Sequence, residues 1–142
     1  MPIMTRITAL TAAALLTLSG AAQAVPSPEA PVRGWSAMAG VPTADLLEDA
    51  QTMPLSEMAV GDQPYCAPDA EISRTLRHDF NEALVDTTGY QGMGTQLWGS
   101  DQMGTWTLVA PRADDTSCII ASGIGYAPDR GPDTFYSVAG LD

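Results

Sequence analysis

The chain contains no lysine, and all six of its basic residues are arginine. Against them stand 17 aspartates and glutamates, giving a net charge of −11 at pH 7. A surface of that sign repels nucleic acid and anionic lipid, and favours a cationic partner if there is one. One histidine and two cysteines fall short of an ordinary zinc site. The acidic stretches RADDTS and APDRGPD lack the alternating oxygen ligands of a calcium loop. Gly123-Ile124-Gly125 leads into Tyr126-Ala127-Pro128 rather than a helix, so it does not read as a phosphate or dinucleotide fingerprint. No metal or cofactor is implied. Long apolar runs are scarce as well, and none reaches the roughly 20 residues that span a bilayer.

What is present starts with a three-part leader. Arg6 supplies a positive start, Ile7 to Leu18 form an uncharged run of apolar and small residues, and Ala22-Gln23-Ala24 is a small-x-small cleavage site. The pattern predicts a secretory signal peptide over residues 1–24 and a mature chain beginning near Val25, in the periplasm or outside the cell, with no membrane insertion after cleavage. Loss of Arg6 leaves five arginines against the 17 acidic residues, a net charge of −12. Two cysteines in an exported chain read as one disulfide, Cys66 to Cys118. A free thiol pair or intermolecular bonds are the alternatives. Closing a loop of that size is worth about 4 kcal/mol as an upper figure.

The remaining length suits one small domain, expected to be monomeric. Residues 25–62 are Pro-containing and expected to be only partly ordered, with a short helix in PTADLLEDAQTM capped by Thr43. Residues 63–126 form the compact part. Its helix is predicted over APDAEISRTLRHDFNEALVD, with Pro68 in the first turn and Ile72, Leu76, Phe80 and Ala83 or Leu84 as an apolar stripe. Three strand-like runs follow at 95–100, 104–110 and 116–122, joined by short polar connections as an antiparallel meander. In the second run Trp106, Leu108 and Ala110 share a face; in the third, Cys118 and Ile120 do. The tail 127–142 is rich in Gly, Pro and Asp, and Phe135 to Val138 is expected to add a short edge strand or dock weakly. The fold class is therefore α+β: one main helix packed on a three- to four-stranded antiparallel sheet, closed by a single disulfide.

Reactive constellations are hard to find. His78 lies off the apolar stripe between Arg77 and Asp79, which favours a solvated histidine. Ser122 lacks the preceding glycine of a nucleophile elbow. Carboxylate pairs brought together by folding are not legible from spacing. No catalytic residue is assigned. Trp106 shares a face with Leu108 and is expected in the core. Trp98 alternates with Gln96 and Ser100, a polar face, and is the candidate exposed anchor for a partner.

Several of these residues carry a resemblance. Cys66 before a helix, Phe80-Asn81-Glu82 at its end, Trp98-Gly99-Ser100, Gly104-Thr105-Trp106-Thr107, and Cys118 followed by Ala121-Ser122-Gly123 resemble a pattern in small exported alphaproteobacterial proteins. The match covers residues 66–126. Asn81 stands where a small residue such as Gly is usual, and Tyr126 where Trp is. The resemblance implies a disulfide-linked α+β domain and export, and implies no reaction. The functional expectation is a non-catalytic accessory or binding module of the cell envelope. The alternatives are an acidic inhibitor-like protein that binds a cationic envelope enzyme such as a lysozyme, and a small hydrolase using His78 or a carboxylate pair.

Overall fold

The structure, a computed structural model, describes residues 30–57, 64–89 and 92–142. The predicted signal peptide and its cleavage site lie outside the described residues. In chain order the elements are β1 (Arg33–Trp35), α1 (Thr43–Thr52), β2 (Tyr65–Pro68), α2 (Asp69–Asp79), β3 (Ala83–Asp86), β4 (Gln96–Gly99), β5 (Thr105–Pro111), β6 (Thr116–Ile124) and α3 (Asp133–Val138). Five strands lie side by side in the order β1-β6-β5-β4-β3. β2 pairs with Thr116 to Ile119 of β6 and β1 with Ser122 to Ile124, so both share the edge of β6 opposite β5. Every pairing is antiparallel.

Alternation along β5 and β6 sorts the core into two. Trp106, Leu108, Ala110, Cys118 and Ile120 face Leu46 and Ala50 of α1 and Phe135 and Tyr136 of α3. Val109, Trp98 and Ala67 face Ile72 and Leu76 of α2. The sheet is thus covered by helices on both sides, where one helix on one side was expected. Cys66 and Cys118 stand opposite each other in the β2–β6 register, are bonded as the disulfide, and have Cα atoms 4.0 Å apart. Both are fully buried.

One row of the sheet is built around a single ring. Gly99, Trp106, Gly123 and Gly34 are register partners across β4, β5, β6 and β1. A Cβ on Gly34 would lie 2.3 Å from the Trp106 ring, and one on Gly123 would lie 2.7 Å from it and 2.0 Å from the Arg33 carbonyl oxygen. Trp106 fills the space those missing side chains leave. Its Nε1 donates to the Ile124 carbonyl at 3.0 Å, and its ring centroid lies 5.2 Å from that of Phe135.

The structure departs from the sequence expectation at the end of the main helix, in the number of strands and in the C-terminal segment, each with a local cause. The main helix stops at Asp79 instead of continuing to residue 86. Asn81 takes a left-handed φ of 51°, and the Glu82 amide donates to the Leu76 carbonyl at 2.9 Å, closing the helix end as a left-handed cap does. Ala83–Asp86 then pairs with β4, bulged between Leu84 and Asp86. The sheet has six strands rather than three or four, because β1, β2 and β3 are three or four residues long and too short to show a period. The C-terminal Phe135 to Val138 belongs to a helix whose Phe135 and Tyr136 are fully buried. A strand would have turned one of those neighbours outward.

α1 begins with Pro42, not Thr43, at the N-cap and makes no side-chain cap bond. Its other end has no basic residue of its own. Arg112, from the turn joining β5 and β6, donates through Nη1 to the carbonyls of Ala50 (3.1 Å) and Met53, and through Nε to Thr116 Oγ1 at 2.7 Å. A buried guanidinium thereby satisfies carbonyls that the end of the helix leaves free.

Candidate functional site

α2 covers only part of its side of the sheet, so two regions of that side reach solvent. The first is a cleft beneath the helix. Ile72 from α2, Trp98 from β4 and Val109 from β5 form its apolar floor, and Asp69, Arg77, Gln96 and Ser117 stand around it. Its volume is about 160 Å³. At one end the Ser117 hydroxyl donates to Asp69 Oδ1, fixing the carboxylate where α2 begins. At the other the Arg77 guanidinium carbon lies 5.4 Å from the Trp98 ring centroid, within cation–π range.

Trp98 is the back wall of this cleft. It was expected to be an exposed anchor, but only 3% of it is accessible. The face it shares with Gln96 looks polar in sequence, yet α2 lies over it. Gln96 Oε1 accepts the Trp98 Nε1 hydrogen at 3.0 Å, so the glutamine serves the buried indole instead of marking a wet surface.

The second region is the half of the sheet beyond α2. Trp35 pairs with Ser122, and Ser122 with Thr107; Ile124 pairs with Arg33 and with Thr105. Trp35 is 57% exposed and Ile124 54%. Between this open half and α2 sits Glu82, only 2% exposed. Burial pushes its carboxyl up to about 7, against the opposing pull of the Thr105 and Thr107 hydroxyls beside it. Glu82 Oε2 and Thr105 Oγ1 are nevertheless buried with no well-aligned hydrogen-bond partner among the described residues.

His78 is exposed on α2, in a shallow dent formed with Arg74, Thr75 and Asp79 of the same helix. Ser122 is exposed on β6, beside Trp35. Neither residue is placed in the cleft. Cys66 and Cys118, joined and buried, form the structural staple.

Sequence reading did not single out Arg77, Gln96 or Trp35 as candidate site residues. Arg77 carried a signal, since it lies eight positions after Asp69 and near the same side of the helix. Trp35 carried none, because β1 is three residues long and sits in a stretch assigned to partial order. No family model, no curated protein and no solved structure matches this chain.

Proposed function

We propose that this chain is an exported, non-catalytic binding module of the cell envelope that docks a cationic protein. The observation that carries the reading is the exposed pair Trp35 and Ile124 on the open half of the sheet, in a chain of net charge −11. An exposed tryptophan near an exposed aliphatic residue is the composition of an interface anchor. The net negative charge of the chain favours a basic partner and raises its encounter rate, although Arg33, the register partner of Ile124, places one positive charge beside the patch itself. The leader sequence and the disulfide support an oxidising compartment outside the cytoplasm.

The test is capture from envelope extract on immobilised mature protein, at about 0.01 M and about 1 M salt, where the Debye length falls from roughly 30 to 3 Å. The expected result is a basic protein held at low salt and released at high salt, with retention cut at least tenfold by Trp35→Ala. Equal retention by Trp35→Ala would remove the proposed surface. The charge also favours a second reading, inhibition of a basic envelope enzyme. A basic lysozyme assayed with and without the mature protein over the same salt series separates the two, since docking alone leaves its rate unchanged.

A further inference from the structure

We propose that the cleft between α2 and strands β4 to β6 binds a dipeptide-sized zwitterion, with its carboxylate on Arg77 and its ammonium on Asp69. This site is distinct from the Trp35 surface and goes beyond the docking reading.

The argument begins with Arg77. In a chain with 17 acidic residues, Arg77 has no carboxylate within ion-pair distance among the described residues. The contact it makes is with the face of Trp98. A guanidinium lying over an indole keeps its N–H edges free, and those edges match a planar carboxylate in a two-bonded fork. Gln96, half-buried opposite Val109 in the β4–β5 register, adds an amide donor to the lining.

The opposite charge stands at the far end. Asp69 and Arg77 are eight residues apart, about 12 Å along the axis of α2. Two residues of extended peptide span up to about 7 Å. Those roughly 12 Å separate backbone positions, and the two side chains reach into the cleft from both ends. The space between the charges therefore suits a zwitterion of at most about two residues, with one charge-assisted hydrogen bond at each end. The full charges of the two side chains outweigh the opposing half-charges of the helix ends. The floor of Ile72, Trp98 and Val109 provides apolar contact for small side chains. A volume of about 160 Å³ suits small side chains such as that of alanine. Orientation is therefore set by charge and size by the floor, as in small-ligand sites generally.

The test uses three ligands and two variants of the mature, oxidised protein. Alanyl-alanine carries both charges, its N-acetyl derivative lacks the ammonium and its C-terminal amide lacks the carboxylate. Binding is followed by titration of the assigned Trp98 indole N–H in two-dimensional NMR, with Trp35 and Trp106 as internal controls. Alanyl-alanine is expected to shift Trp98 saturably and leave Trp35 unmoved. The amide should bind at least tenfold more weakly to the wild type, and Arg77→Gln should weaken alanyl-alanine equally. Arg77→Gln should then bind the amide no worse than the wild type does, because the lost contact is one and the same. Asp69→Asn and the N-acetyl ligand form the matching pair at the other end. Both variants change exposed or half-exposed positions, and an unchanged two-dimensional spectrum establishes that each folds.

Three results would overturn the proposal: a Trp98 shift that does not saturate, equal affinity for all three ligands, or a response confined to Trp35. The docking reading survives any of them, since it depends on Trp35→Ala and on a protein partner. Conversely, loss of protein capture with an intact Trp98 response would leave the cleft standing and remove the docking surface.

Discussion

Glu82 is a carboxyl enclosed by the sheet, the end of α2 and two threonine hydroxyls, with one oxygen left unbonded. Its folded-state value near 7 lies above its ordinary 4.5. A raised carboxyl gives its full contribution to stability below about 4.5, where both states hold the proton, and loses it as pH climbs through 7. The loss is at most about 3 kcal/mol. Glu82→Gln keeps the shape and removes the charge. It should therefore raise the melting temperature at pH 8 and leave it nearly unchanged at pH 4.5, as read by circular dichroism. An equal gain at both pH values would mean that packing, and not ionisation, is responsible. At this scale the sequence was only partly legible. Cys66, Cys118 and Trp106 declared themselves through type and pattern. Glu82 and Trp98 did not, because their burial is decided by a turn at Asn81 and a helix overhead, which no local pattern encodes.

The elements owe their placement to alternation and to a few stops. β4, β5 and β6 were readable because each run carries a recognisable mix of Thr, Trp, Val and Ile, and β5 and β6 span seven and nine residues. The start of α2 was readable from Pro68, Asp69 and Glu71. Its end was not, since the apolar spacing runs on through Phe80 and Leu84 while the backbone turns at Asn81. α3 was missed because six residues make less than two turns, and its stability comes from burying Phe135 and Tyr136 against the sheet. The glycine row gives the prediction that belongs here. Gly123→Ala sets a methyl 2.0 Å from the Arg33 carbonyl oxygen, so β1 must move. A loss of about 1–3 kcal/mol is expected in urea unfolding, accompanied by faster amide exchange at 33–35. Protection at 33–35 equal to wild type would show that β1 is not held by this approach.

For the whole molecule, charge is the dominant asymmetry. Arg112 pairs with Asp114 at 3.8 Å, and with Asp114 largely exposed the pair adds little. The rest of the acidic surface repels itself, and salt should relieve that repulsion. Between about 0.01 M and about 0.5 M sodium chloride at pH 7, calorimetry should record a rising melting temperature. A fall would mean that attractive pairs outweigh repulsion. The α+β class and the disulfide were legible at this scale, but the second helical layer was not, because it is assembled from both ends of the chain. Only the folded sheet brings α1 and α3 together over Trp106. That ring also ties distant positions into one inheritance. Glycines 34 and 123 are fixed by a side chain 72 residues from one and 17 from the other. Substitutions there should travel in company: a relative with a smaller residue at 106 is free to carry alanine at 34, and one that keeps tryptophan is not. Covariation between these positions would trace the descent of the fold after direct likeness has faded.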